Sequence, residues 1–259
     1  MALKYKVDLN CDLGESFGAY KIGSDDKVVQ FISSANVACG YHASDPLVMD
    51  DTVNICKEFN VAVGAHPGYP DLLGFGRRNM QVSTNEASAY IKYQVGALMA
   101  FCKSYGIKLS HVKPHGAMYN MAGRDIIMAR AICESVQEID ENLILLGLAG
   151  SAMEKASKQI GLKFAKEVFA DRGYDDDGSL VSRGKPGAMI TDENEALDRV
   201  IRMIIDHKVK SVNGIDIDVT VDSVCVHGDG EKALDFVRKI NYTLGNSGIE
   251  ITNLTNFIK

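Results

Sequence analysis

Apolar and polar side chains alternate strictly along Val7-Asp8-Leu9-Asn10-Cys11-Asp12-Leu13. A strand has period two, so Asp8, Asn10 and Asp12 share one face and Val7, Leu9, Cys11 and Leu13 share the other. Taken alone, this is the pattern of a half-exposed surface strand. It does not stand alone, because short β-rich runs alternate with longer helical patterns along nearly the whole chain. The pattern predicts strands over 5–11, 35–39, 61–65, 111–113, 143–148, 163–169, 188–190 and 221–226. It predicts helices near 25–33, 45–59, 84–105, 124–140, 153–160, 193–207 and 231–243. Ser44-Asp45-Pro46 and Thr84-Asn85-Glu86 read as helix starts, and Gly106 and Gly161 as helix ends. Regular alternation of strand and helix means parallel βαβ units.

The length of 259 residues fits the roughly 250 of one (β/α) barrel, so a single α/β domain over 1–259 is expected. With 46% hydrophobic and 24% charged residues, the chain can bury a large core. A net charge of -6 with no Lys/Arg run leaves no electrostatic footprint for nucleic acid or an anionic membrane. No apolar run approaches the ~20 residues of a membrane span, and the first residues do not read as a secretory signal. Six cysteines without a C-x-x-C pair argue against a zinc cage or a disulfide framework, which makes a reducing cytoplasm the expected location.

Chemistry-bearing side chains gather just past the predicted strands. They are Asp12 and Glu15, then His42, His66, Lys113 with His115, Glu167 with Asp171 and Arg172, and His227 with Asp229. Carboxyl ends of parallel strands are where active sites are built. One histidine so placed is ordinarily structural, but four at equivalent positions point to a site. His111 opens its strand, the wrong end for catalysis, and His207 closes a helix as a dipole partner. Asp12, His42 and His66 are candidates for a divalent-metal set with an open position for water, against a metal-free polar site in a chain without H-E-x-x-H. The Gly- and Pro-containing loop 68–80 is long enough to be functional. Segments 226–230 and 183–187 are candidate anion loops, whereas Asp175 to Asp177 read as a solvated turn. Neither a P-loop nor a G-x-S-x-G nucleophile elbow is present.

Six ordered motifs carry a resemblance. D-L-N-C-D-L-G-E (8–15), N-V-A-C-G-Y-H-A-S-D-P (36–46), G-A-H-P-G-Y-P-D-L-L-G-F-G-R-R (64–78), V-K-P-H-G-A-M-Y-N (112–120), E-V-F-A-D-R-G-Y (167–174) and V-H-G-D (226–229) resemble the LamB/YcsF family. The resemblance implies a seven-stranded (β/α) barrel-like fold similar to the metal-dependent polysaccharide deacetylases. It also implies ATP-dependent opening of 5-oxoproline to glutamate, with ATP as co-substrate and two partner subunits. Asp8, Asn10, Asp12 and Glu15 occupy the first acidic motif, and His42, His66, Lys113, His115, Asp171, Arg172 and His227 the later ones. The general base is then Asp12, Asp8 or His66, with Lys113 neutralising developing charge and His115 protonating the leaving amine. Arg77, Arg78 and Arg172 are candidates for a carboxylate or phosphoryl group. Ser44 and Gly68 depart mildly from the family pattern, and Gly230-Glu231 replaces its Thr-Pro. Two alternatives stay open: a stand-alone metal-dependent amidase or deacetylase, and a non-catalytic carrier of an activated lactam.

Overall fold

The computed structural model describes residues 5–226 and 231–259, so His227 and the loop after it lie outside the described residues. Six parallel strands follow in order: β1 (Tyr5–Leu13), β2 (Ser34–Ala38), β3 (Ala62–His66), β4 (His111–Val112), β5 (Ile144–Leu148) and β6 (Phe164–Phe169). An antiparallel hairpin of β7 (Lys208–Lys210) and β8 (Asp216–Asp218) intervenes, and β9 (Ser223–Val226) then pairs with both β6 and β1. That double pairing closes a seven-stranded parallel barrel. Outside the ring, β10 (Ile249–Ile251) runs parallel to the first residues of β1.

Eight α-helices accompany the strands among the described residues: α1 (Asp25–Val28), α2 (Pro46–Glu58), α3 (Thr84–Ser104), α4 (Gly116–Ala122), α5 (Ile126–Ile139), α6 (Ala152–Ile160), α7 (Glu193–Ile205) and α8 (Glu231–Asn246). Their ends follow local chemistry. Asp45 caps α2 by accepting from the Leu47 and Val48 amides, with Pro46 in the first turn. Ser83 and Glu86 form a reciprocal capping box on α3, and Gly161 ends α6 in the left-handed conformation. No described helix is long and apolar enough to cross a membrane.

The alternation in β1 has a different cause from the surface strand that it suggests. Val7, Leu9, Cys11 and Leu13 join the hydrophobic core, while Asp8 and Asn10 are also fully buried. The polar face reaches across the barrel: Asn10 meets Glu167 on β6, and Asp12 meets Lys113 beyond β4. A barrel of this type ordinarily fills its interior with branched apolar side chains. This one holds stacked polar layers, with Asp8, Ser34 and Ser223 lowest, Asn10, Asn36 and Glu167 above them, and Asp12 with Lys113 highest.

The predicted strand over 188–190 does not form; Met189 makes only an isolated bridge to Arg172. His207 does not close a helix either, since α7 ends at Ile205 and His207 turns the chain into the hairpin at φ 55°. All six cysteines are buried free thiols.

Asp8 accepts from Ser33 at 2.7 Å, from Ser34 at 2.6 Å and from Ser223. Burial outweighs these bonds and, with the charge of Glu167, raises its carboxyl from 3.8 to about 6. A folded-state pKa above the unfolded one favours folding at low pH, and that contribution is lost as pH rises through the folded value. The unfolding free energy of Asp8→Asn relative to wild type should therefore rise by about 2 to 3 kcal/mol between pH 4 and pH 7. Denaturant unfolding at the two pH values checks this, and a difference that does not move with pH would mean an unshifted Asp8.

Candidate functional site

A cavity of about 400 Å³ opens at the carboxyl ends of the strands, walled within by Asp12, Glu15, His66, Lys113, His115, Tyr119 and Phe169. Asp12 is the penultimate residue of β1 and His66 the last of β3. The Lys113 amide donates to Ala65 O and the His115 amide to Pro67 O, so the chain after β4 stays zipped to the chain after β3. The loop after β3 then folds back over the histidines. At Gly76, with φ +62°, a Cβ would lie 2.7 Å from His42 Cβ and 2.8 Å from His115 Cδ2, so both conformation and space require glycine.

The cavity floor is ionic. Lys113 Nζ lies 2.9 Å from Asp12 Oδ1, 2.8 Å from Glu167 Oε1 and 3.2 Å from Asn10 Oδ1. Burial pulls the ammonium pKa down, but Asp12 and Glu167 outweigh it and hold Lys113 well above its ordinary range. The Tyr119 hydroxyl donates to Glu167 Oε2 at 2.7 Å, and burial together with that carboxylate keeps the phenol protonated. Asn36 Nδ2 donates to Asp12 Oδ1 at 2.8 Å. The other oxygen of Asp12 faces His66 Nε2 at 3.3 Å.

The histidines are arranged so that their tautomers can be deduced. His66 Nδ1 is 2.7 Å from the Lys113 carbonyl oxygen, and His115 Nε2 is 2.8 Å from the Phe75 carbonyl oxygen. A carbonyl can only accept, so these nitrogens carry the protons. His66 Nε2 and His115 Nδ1 are then both lone pairs in the neutral rings, yet they lie 2.9 Å apart. Asp12 Oδ2 and Glu15 Oε1 approach the same nitrogens at 3.3 Å and 3.5 Å. Bare nitrogens and carboxylates directed at one another call for a positive charge between them, a proton or a metal ion.

His42 completes the group. Its ring stacks on His115 with centroids 3.6 Å apart, and its Nε2 lies 3.1 Å from Glu15 Oε1. Burial, with neighbouring imidazoles, pushes His42 and His115 well below the ordinary imidazole range. Ligand atoms of Glu15, His42, His66 and His115 all fall within 4.8 Å of one another. Three imidazole nitrogens and one carboxylate oxygen suit zinc or a similar divalent ion. Backbone carbonyls behind His66 and His115 orient the rings as outer partners of metal-bound histidines do.

This grouping shares His42 and His66 with the expected metal set of Asp12, His42 and His66. Glu15 and His115 join it, while Asp12 has Oδ1 held by Lys113 and Asn36 and turns Oδ2 toward His66 Nε2 at 3.3 Å. Asp8, a candidate base, lies two layers below the cavity among serine hydroxyls, and Asn10 sits between them inside the barrel. Arg78 turns out of the cavity to pair with Asp71. Arg77 lines the cavity and lies over the Phe75 ring. Arg172 also lines it, but its buried guanidinium donates to Val181 O at 2.7 Å and Ala188 O at 3.1 Å, tying down the segment at the mouth. Asp171 precedes it and does not line the cavity.

Sequence reasoning assigns no role to Asn36, Tyr119 or Arg124, names Glu167 only within the strand-end cluster, and reads Arg183 only as part of the candidate anion loop 183–187. Glu167 and Asn36 lie inside the barrel, and Tyr119 faces the cavity from α4. Arg124 and Arg183 stand at the mouth. Tyr119 follows His115 by one helical turn, and Asn36 repeats in β2 the polar period of β1, so both left a usable signal.

The chain is 62% identical over 250 residues to a 5-oxoprolinase subunit from Clostridium beijerinckii, covering 96% of this chain and 98% of that one. It is 59% identical over 254 residues to the protein of the same name from Campylobacter jejuni, with 98% and 100% covered. Among solved structures, the lactam utilization protein from Thermus thermophilus superposes with a TM-score of 0.90 at 43% identity, covering 95% of this chain and 99% of that one. The match to the family model runs over residues 7–259, and with polar motifs, barrel and relatives in agreement, the chain belongs to the LamB/YcsF family.

Proposed function

We propose that this chain is the lactam-opening subunit of a cytoplasmic, ATP-dependent 5-oxoprolinase that works with two partner subunits and yields glutamate. One observation carries this reading: Asp12 has one oxygen held by Lys113 at 2.9 Å and the other turned to His66 on the floor of a cavity. Amide hydrolysis needs a base for water, a positive charge for the developing oxyanion, and a proton for the departing amine. Asp12 takes the proton from water, Lys113 faces the developing charge, and Asp12 returns the proton to the ring nitrogen as the C–N bond breaks. His115 is released from the role of acid expected for it, because its N–H is committed to the Phe75 carbonyl. Glu15, His42, His66 and His115 would hold a divalent cation, which would supply Lewis-acid polarisation of a carbonyl.

A lactam is a resonance-stabilised amide with little ring strain, so phosphorylation of its carbonyl oxygen would greatly assist attack. The chain has no G-x-x-x-x-G-K-[ST] sequence, which assigns the nucleotide chemistry mainly to the partners. Arg77, Arg124 and Arg183 around the mouth fit the substrate carboxylate and phosphoryl oxygens, which guanidinium groups bind in pairs. The cation-type donor set favours a second reading, a stand-alone metal-dependent amidase.

Purified chain alone should release little glutamate from 5-oxoproline, and partner subunits with ATP should bring release in step with ADP formation. Rapid release by the chain without ATP would overturn the first reading in favour of the second.

A further inference from the structure

His111 opens β4 below the cavity, and no step above uses it. The ring is fully enclosed, and burial, with Lys113 nearby, pushes it down to about 3, so it is neutral at pH 7. Its Nε2 lies 2.7 Å from Asn36 Oδ1 and its Nδ1 2.6 Å from Ser110 Oγ. The far end of this chain of bonds fixes its direction. Asn36 Nδ2 lies 2.8 Å from Asp12 Oδ1 and 2.7 Å from Asn10 Oδ1, and an ionised Asp12 can only accept. The Asn36 carbonyl therefore faces His111, so His111 donates from Nε2 and is an acceptor at Nδ1, beside a Ser110 hydroxyl that also lies 2.9 Å from the Val63 carbonyl oxygen. The place for the ring is built into the barrel, since a Cβ on Gly64 of β3 would lie 2.1 Å from His111 Nε2.

We infer that His111 is a positioning residue for Asp12, acting through Asn36 to set which carboxylate oxygen faces the cavity. Asn36 and Lys113 both direct protons to Oδ1, at 2.8 Å and 2.9 Å, and Oδ2 is the oxygen left turned toward His66. Without a donor at position 111, the buried Asn36 carbonyl loses its partner and the amide is no longer held in place from that side. Its bond to Oδ1 then loosens, and the carboxylate is less firmly held in its working orientation. The functional consequence rests on Asp12 acting in the lactam step, so the test has one arm that does not use activity.

His111→Gln keeps an N–H donor, whereas His111→Leu fills the space without one. In nitrogen-15 NMR, the Asn36 side-chain amide signals should stay near their wild-type positions in His111→Gln and move in His111→Leu. In the complete ATP-dependent system, His111→Leu should lower kcat by ~10- to 10²-fold with KM near wild type, the scale of a misplaced group. His111→Gln should recover most of that loss. If His111→Leu does not fold, Ser110→Ala keeps the ring and removes the hydroxyl beside its Nδ1, which loosens the ring, and kcat should fall by ~3- to 10-fold. Wild-type kcat in His111→Leu, or in Ser110→Ala where that variant stands in, overturns the inference. Equal loss in His111→Leu and His111→Gln, or Asn36 signals unmoved in His111→Leu, does the same. A wild-type system without turnover would sink the function proposed above while leaving the NMR arm to decide the orientation.

Discussion

Lys113→Ala is expected to abolish most glutamate release, by at least ~10²-fold, and to weaken the fold at the same time. Two effects combine because Lys113 is both the cation facing the developing charge and the buried partner of Asp12 and Glu167. Removing one member of a buried ion pair leaves uncompensated charge and costs about 3 to 5 kcal/mol. The effects separate in the double variant Lys113→Met with Glu167→Gln, which removes the ammonium and one carboxylate together. That variant should regain much of the lost thermal stability without regaining turnover. Wild-type turnover in Lys113→Ala, measured on the folded fraction, would remove this residue from the chemistry.

His66→Ala carries the second large effect. His66 Nε2 lies 2.9 Å from His115 Nδ1 and 3.3 Å from Asp12 Oδ2, so its loss removes a cation ligand and the group facing the base. Affinity for zinc or cobalt, followed by calorimetry, should fall by at least ~10²-fold, and turnover by ~10³-fold. His207, exposed at the start of the hairpin, serves as the control whose alanine variant leaves both unchanged. Equal affinity in wild type and His66→Ala would mean that the facing nitrogens share a proton instead of a metal.

Much of the barrel is legible in the sequence because strand and helix periods differ: β1 through β6 and β9 lie within a few residues of the alternation that predicts them. The hairpin of β7 and β8 is hidden because three-residue strands are too short to show a period, and β10 is hidden for the same reason. The alternation of β1 separates two faces but cannot say whether the polar one meets water or the lumen of a barrel. Only closure through the β1–β9 pairing settles that. Candidate residues at strand ends are legible by position, as His66, Lys113 and His115 illustrate. Their division of labour is not, because Asp12 and Glu15 both direct a carboxylate oxygen at the histidines, a convergence that spacing along the chain does not reveal. Nor does adjacency show that Arg78 turns to Asp71 while its neighbour Arg77 lines the cavity.

Asp12→Asn in the complete system tests most directly whether this chain opens the lactam. The substitution keeps the size of the side chain and removes its ability to take a proton from water, so ATP-dependent glutamate release should fall at least ~10³-fold while the subunits still assemble. Glutamate release at the wild-type rate would contradict ring opening in this cavity and assign it to a partner.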